Sequence, residues 1–206
     1  MITPPLELLW DGPDDAPLTV MLAHGAGAGM EHPFVEAIAH GLAAHDLRVV
    51  RFEYPYQREA RAGHRRAPDR MPVLHETMRE VLALCPKGPI VLAGKSMGGR
   101  ASTMLADTIA ARACIVFGYP FHPPKEPTKL RTEHLASLQT RTLILQGERD
   151  PFGTREQVEG YVLSPAITVQ WLADGDHSLA PRQRSGFTAE QHLATAIAAA
   201  AAFAKA

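Results

Sequence analysis

The chain has 206 residues, of which 46% are hydrophobic and 21% charged, and its formal net charge is -1. This composition is typical of a soluble globular protein, and the near-zero charge argues against a general affinity for nucleic acid. The longest apolar run, residues 193–204, is shorter than the ~20 residues that a membrane span needs, and the first residues lack a signal-peptide pattern. We therefore expect one domain over residues 1–206, with neither nucleic acid nor a membrane as a partner.

Cysteine usage indicates the compartment. Cys85 and Cys114 lie in apolar segments, the second within a predicted central strand, so the sequence favours buried free thiols over a disulfide. We therefore expect a reducing compartment and a cytoplasmic location.

Short apolar segments rich in β-branched residues alternate along the chain with segments of helical periodicity. Such alternation is typical of a mostly parallel sheet with helices on both faces. The predicted strands are residues 6–10, 19–23, 48–54, 90–93, 113–117, 142–145 and 167–172. The sequence therefore predicts an α/β fold with about seven strands.

Apolar residues at intervals of four predict the helices between these strands. Phe34, Ile38 and Leu42 share one face of a predicted helix, and the same spacing recurs in residues 74–82. Further helices are predicted at residues 97–110, at residues 154–163 and after Thr188, which stands in capping-box spacing with Gln191. Each of the periodic helices has one apolar stripe to bury against the sheet.

The pentapeptide Gly94-Lys95-Ser96-Met97-Gly98 follows a predicted buried strand and precedes a predicted helix. It has the form G-x-S-x-G, in which a strained strand-to-helix turn exposes the serine as a nucleophile. A glycine-rich turn with a capping serine is the simpler interpretation. A phosphate-binding loop is disfavoured, because five residues rather than four separate Gly88 from Gly94 and they form an apolar strand. The placement of the turn favours Ser96 as a nucleophile.

The segment His24-Gly25-Ala26-Gly27-Ala28-Gly29 directly follows the first buried strand. In folds built around a G-x-S-x-G turn, the loop at this position supplies one of two backbone amides that stabilise an oxyanion. We assign this role to the backbone N–H groups of Ala26 and Met97. A dinucleotide-binding G-x-G-x-x-G is the alternative, but Met30 occupies its third glycine position.

Candidates for an acid and a base lie after later strands. Asp150 follows the strand at 142–145 through a polar turn, and His177 lies in the loop after the last strand. Both should reach the carboxyl edge of the sheet near Ser96, in the chain order Ser, Asp, His of one known triad fold. Taken singly, Asp150 fits a helix cap and His177 a surface histidine. The competing carboxylates are Glu148, Asp174 and Asp176.

Two further sets of side chains are candidates for substrate contact. His24, His32 and His122 are candidates to line the same cleft. In the arginine-rich loop predicted at residues 56–71, Arg65 and Arg66 are candidates for binding a carboxylate or phosphate, with a solvated mobile loop as the alternative. The histidines show no metal-binding spacing, so we expect no metal and no cofactor.

Four separated blocks resemble the small α/β hydrolases related to dienelactone hydrolase, and within them the testis-expressed and NSL-complex-subunit-like group. The blocks are residues 24–29 with His32-Pro33-Phe34, residues 94–99, residues 147–153 and residues 175–178. The resemblance implies an α/β-hydrolase fold and the triad Ser96, Asp150 and His177. The nucleophile of dienelactone hydrolase is a cysteine, so the resemblance does not extend to lactone specificity. It also implies a lidless protein, and the short segment before residue 142 leaves no room for a cap domain.

Together these features predict an enzyme that transfers an acyl group to water. Ser96 attacks a carboxylic ester or thioester of a small-molecule substrate, His177 transfers the proton, and water releases the acyl group. A non-catalytic interaction module that keeps the turn for structural reasons is the alternative, although a scaffold has no chemical need for all three triad residues. A peptidase is less favoured without a cap or propeller.

Overall fold

A seven-stranded sheet forms the centre of the protein, in a computed structural model that describes residues 4–206. Its strands are β1 (Leu8–Asp11), β2 (Thr19–Ala23), β3 (Arg48–Phe52), β4 (Ile90–Lys95), β5 (Ala113–Phe117), β6 (Thr142–Gly147) and β7 (Ile167–Leu172). They lie in the order β1-β3-β2-β4-β5-β6-β7; β1 is antiparallel to β3, and the other neighbours are parallel. The predicted α/β fold with seven mostly parallel strands is confirmed.

Helices cover both faces of this sheet. They are α1 (Pro33–Ala43), α2 (Pro55–Arg61), α3 (Met71–Leu84), α4 (Met97–Ala106), α5 (Arg155–Val158) and α6 (Ala189–Lys205), with 3₁₀ turns at Glu133–Ala136 and Gln183–Ser185. On one face, Ile38 of α1 and Ile197 of α6 join the core, and on the other Leu74 of α3 and Leu105 of α4 do so. Within the described part of the chain, no helix combines the length and the apolar character that crossing a membrane requires.

Some of the predicted strand ends are wrong, and pairing with neighbouring strands explains the differences. β4 continues to Lys95 and β6 to Gly147, beyond the predicted ends, because β5 and β7 continue alongside them. β3 ends at Phe52 rather than at residue 54, since its partners on β1 and β2 also end there. β1 begins at Leu8 rather than at residue 6, because Leu8 already lies opposite the end of β3.

Three predicted segments fold differently from the sequence-based expectation. The helix predicted at 97–110 ends at Ala106, because Ala110 adopts a φ of 49° that turns the chain toward β5. Of the helix predicted at 154–163, only the short α5 forms. Gly160, a poor helix former, follows soon after it. The predicted loop at 56–71 instead opens with α2, whose proline at the first turn has the fixed φ of a helix start.

The carboxyl edge of the sheet is free of an inserted domain, as predicted. Between β5 and β6, residues 118–141 contain a single 3₁₀ turn and no further regular element. The loops that follow β2, β4, β6 and β7 meet at this edge. They carry Ala26, Ser96, Asp150 and His177 respectively.

Candidate active site

Ser96 lies on a strained turn between β4 and α4. Its backbone has φ 51° and ψ -114°, a conformation that L-residues rarely adopt. The flanking glycines are sterically required: a Cβ on Gly94 would lie 2.4 Å from the backbone carbon of Gly98, and a Cβ on Gly98 would lie 2.5 Å from the carbonyl oxygen of His24. The turn therefore has the geometry that its G-x-S-x-G pattern predicts, with the serine side chain raised above the sheet edge.

Two hydrogen bonds connect Ser96 to a buried carboxylate through His177. The imidazole Nε2 lies 2.8 Å from Ser96 Oγ, and Nδ1 lies 2.7 Å from Asp150 Oδ2. Asp150 has no exposed surface. A carboxylate can only accept, so it holds the ring proton on Nδ1 and leaves Nε2 to accept the serine hydroxyl. This is the arrangement in which a histidine can withdraw a proton from a serine.

The Asp150 carboxylate is fixed by two further donors. The Phe152 amide donates to Oδ1 at 2.8 Å, and Gln146 Nε2 donates to Oδ2 at 2.8 Å. Gln146 itself is buried at the end of β6. The sequence analysis missed this residue, although a single glutamine closing the apolar run of β6 is a signal for a buried polar partner.

The three competing carboxylates are engaged elsewhere. Glu148 binds an arginine side chain and accepts the Asp174 amide at 3.0 Å. Asp174 forms ion pairs with two arginines, and Asp176 accepts backbone amides of its own loop. Glu148 pairs with Arg155, and Asp174 pairs with Arg149 and Arg182. Asp176 accepts the amides of Ser178 and Ala180. Asp150 is thus the carboxylate in contact with the His177 ring.

The two amides assigned to an oxyanion site flank the serine. Gly25 lies against the turn, since a Cβ added to it would be 3.7 Å from Ser96 Cβ. Within residues 4–206, neither the Ala26 nor the Met97 amide donates a hydrogen bond to a protein acceptor. Met97 opens α4, where the first amides of a helix have no intrahelical acceptor. Both donors therefore remain available to a ligand beside Ser96.

A cleft of about 350 Å³ surrounds the serine. Its walls are largely apolar, with Phe34 and Phe152 among the lining residues, and the ring centroid of Phe152 lies 4.2 Å from that of His177. An apolar cleft with a few convergent polar groups is typical of a small-molecule site.

Lys95, the residue before the serine, also lines this cleft, and the sequence analysis missed it. Its ammonium donates a hydrogen bond to the carbonyl oxygen of His177 and lies 5.5 Å from the centre of the Phe34 ring. Burial lowers the pKa of Lys95 to about 8. A charged residue directly after an apolar strand is the one signal in the sequence that marks it.

The three candidate histidines differ in location. His32 lines the cleft, and its Nδ1 accepts the Phe34 amide at the start of α1. His24 and His122 are fully buried, so the prediction that they line the cleft is wrong. His122 is held by the carbonyl of Pro123 at 2.9 Å and by a glutamine side chain. Both rings are covered by segments distant in sequence, which no local pattern indicates.

Arg65 and Arg66 line a neighbouring groove of about 430 Å³ that shares Ala26 and Gly27 with the cleft. The two arginines are not equivalent. Arg66 forms ion pairs with two carboxylates, those of Glu59 and Asp69. Arg65 is exposed and pairs with no carboxylate among the described residues.

In the part of the chain that the structure describes, no three His, Cys, Asp or Glu side chains are arranged to hold a metal ion.

A family model described as an alpha/beta hydrolase domain matches residues 16–205, nearly the whole chain. The chain belongs to the alpha/beta hydrolase family.

Solved structures share this fold at low sequence identity. XC6422 from Xanthomonas campestris, an α/β serine hydrolase without a lid, is 22% identical with a TM-score of 0.66, over 85% of this chain and 81% of that one. Est1E from Butyrivibrio proteoclasticus, with ferulic acid bound, is 15% identical with a TM-score of 0.71, over 96% and 93%. A malate-bound thermophilic esterase from Thermogutta terrifontis is 17% identical with a TM-score of 0.69, over 98% and 94%.

Proposed function

We propose that this protein is a serine hydrolase that cleaves a carboxylic ester or thioester through an acyl-enzyme intermediate. The observation that carries the proposal is the pair of hydrogen bonds, 2.8 Å and 2.7 Å long, that links Ser96 Oγ through His177 to Asp150. A serine hydroxyl is a weak nucleophile unless a base removes its proton, and this link supports such an activation.

In the proposed reaction, Ser96 Oγ attacks the acyl carbon while His177 Nε2 takes its proton. Asp150 stabilises the imidazolium that forms, and the amides of Ala26 and Met97 bind the oxyanion. The alcohol or thiol receives the proton from His177 and departs, which leaves the acyl group bound to Ser96 Oγ. Water then attacks the acyl carbon, with His177 again as the base, and the acid is released as Ser96 regains its proton.

The open apolar cleft supports a small-molecule substrate with a short or medium acyl group. Within residues 4–206 no cap domain closes over the site, and the walls near Ser96 include Phe34 and Phe152. The esterase from Thermogutta terrifontis and Est1E with ferulic acid bound share this fold, which is compatible with ester chemistry. The alternative of a non-catalytic module leaves the connected serine, histidine and carboxylate without a purpose.

Two narrower expectations also remain proposals. The four sequence blocks support membership of the dienelactone-hydrolase-related group that includes the testis-expressed and NSL-complex-subunit-like proteins. The free thiols of Cys85 and Cys114 support a reducing compartment such as the cytoplasm.

A panel of ester and thioester substrates tests the proposed function. Wild-type protein should hydrolyse at least one member, and Ser96→Ala should abolish that activity. Ser137→Ala is the matched control, because Ser137 is exposed on the loop after a 3₁₀ turn and does not line the cleft. Equal rates in Ser96→Ala and wild type would contradict the proposal.

A further inference from the structure

Two side chains form hydrogen bonds with the Gly25 carbonyl oxygen, in the peptide unit between Gly25 and Ala26. The Tyr56 hydroxyl lies 3.1 Å from the Gly25 carbonyl oxygen and 3.0 Å from that of Ala26, and it donates to this pair of acceptors. His24 Nδ1 lies 2.7 Å from the same Gly25 oxygen. The Tyr56 and His24 side chains are both buried.

The hydrogen-bond partners of His24 assign its proton. The backbone N–H of Tyr54 donates to His24 Nε2 at 3.2 Å, so Nε2 is an acceptor. Nδ1 then carries the hydrogen of the neutral ring and donates it to the Gly25 oxygen. Burial lowers the pKa of His24 to about 4, which keeps the ring neutral over the ordinary pH range. The Gly25 oxygen therefore receives two donors.

These hydrogen bonds determine where the Ala26 amide points. A trans peptide unit is planar, and its C=O and N–H bonds point in opposite directions. Donors that hold the Gly25 oxygen on one side fix the Ala26 N–H on the other. Ala26 lines the Ser96 cleft, and its amide has no acceptor among the described residues.

We propose that Tyr56 and His24 are positioning residues that clamp the Gly25–Ala26 peptide so that the Ala26 amide faces the reacting carbonyl at Ser96. This inference rests on the proposed hydrolase function. A preorganised donor is effective because it needs no reorientation when charge develops on the oxyanion. The clamp also explains the position of α2, the helix that the sequence analysis missed: its second residue, Tyr56, reaches back to the loop after β2.

A neighbouring tyrosine supplies the control. Tyr54 is also buried, but its hydroxyl has no hydrogen-bond partner within residues 4–206. Tyr54→Phe removes a buried hydroxyl and keeps the backbone N–H that His24 accepts. Tyr56→Phe also removes a buried hydroxyl, but this one donates to the carbonyl oxygens of Gly25 and Ala26.

Kinetics of the two variants give the first test. Tyr56→Phe should lower kcat by about tenfold or more with KM nearly unchanged, since an oxyanion donor acts in the transition state. Its affinity for a trifluoromethyl-ketone transition-state analogue should fall in parallel. Tyr54→Phe should retain the wild-type kcat. A wild-type kcat in Tyr56→Phe, or a loss confined to KM, would overturn the clamp.

Amide hydrogen exchange gives a second test that does not depend on activity. In Tyr56→Phe, exchange across residues 24–28 should accelerate at least several-fold, while exchange in the central strands stays at the wild-type rate. Unchanged exchange in residues 24–28 would overturn the clamp. A wild-type protein inactive on every ester would contradict the proposed function alone, and this exchange measurement would still decide the clamp.

Discussion

The ammonium of Lys95 donates a hydrogen bond to the backbone carbonyl of His177. The residue before the candidate nucleophile thus holds the loop that carries the candidate base. His177 is therefore held at two points, through its ring by the Ser96 side chain and through its backbone carbonyl by the Lys95 side chain. The Lys95 side chain is partly buried, and this burial lowers its pKa.

The partly buried ammonium of Lys95 predicts a pH-dependent stability difference. The pKa of Lys95 falls from 10.5 to about 8 on folding, so the unfolded chain holds this proton more tightly than the folded protein. Wild-type stability should therefore rise, relative to Lys95→Met, as pH increases from about 8 to about 10.5. Urea unfolding of both proteins across this window measures the effect. A difference in unfolding free energy that is independent of pH would contradict it.

The orienting acid is tested by isosteric replacement. Asp150→Asn should fold normally yet lower kcat by about 10⁴-fold, because an amide favours the wrong tautomer of His177. Asp176→Asn and Glu148→Gln are matched controls, since these carboxylates contact amides or arginines rather than the imidazole. Steady-state kinetics of the three variants decide the assignment. Full activity in Asp150→Asn, together with an inactive control variant, would show that another carboxylate has this role.

The nucleophile turn should tolerate no side chain at Gly94. A Cβ there would lie 2.4 Å from the backbone of Gly98, so Gly94→Ala should destabilise the fold by at least about 3 kcal/mol. Gly27→Ala is the control, because a Cβ at Gly27 meets no atom within 4 Å. Thermal or denaturant unfolding compares the two. Equal stability of both variants would mean that the close approach of β4 and α4 is wrong.

The groove beside the cleft predicts a preference for anionic substrates. Arg61 and Arg66, which also line the groove, are both paired with carboxylates. Among residues 4–206, Arg65 is thus the arginine of the groove that has no carboxylate partner. For esters of equal length, the carboxylate-bearing one should have the higher kcat/KM. Arg65→Ala should reduce that preference about fivefold, as expected for one partly exposed ion pair worth about 1 kcal/mol.

Salt and a second arginine serve as controls for this preference. It should weaken at high ionic strength, since charges are screened over ~8 Å at physiological salt. Arg70→Ala should leave the preference unchanged, because Arg70 is exposed in the same segment but does not line the groove. Equal kcat/KM values for neutral and anionic esters at low salt would remove the role proposed for Arg65.

Sequence patterns predicted the fold and the meeting of the three triad candidates because both depend on strand order. Residues that follow parallel strands share one edge of the sheet, which brings Ser96 and Asp150 together whatever the details of their loops. The strand ends, in contrast, depend on how far each neighbour continues, which is why β4 and β6 extend beyond their apolar runs.

Side-chain burial in the loops was not predictable in the same way. His24 follows a strand at the correct edge, yet it is buried, and Tyr54 and Tyr56, which follow the end of β3, pack against its ring. These contacts join segments about thirty residues apart. The seven-residue helix α2 is too short for periodicity to indicate, so Tyr56 was also missed.

The most direct test of the account is the site of covalent labelling by a fluorophosphonate. The reagent reacts with serines that a neighbouring base activates, and peptide mass spectrometry locates the adduct. We expect the adduct on Ser96 in the wild type, no labelling of Ser96→Ala, and much slower labelling of His177→Ala. An adduct on another serine, or unchanged labelling of Ser96→Ala, would contradict the assignment of Ser96 as the nucleophile.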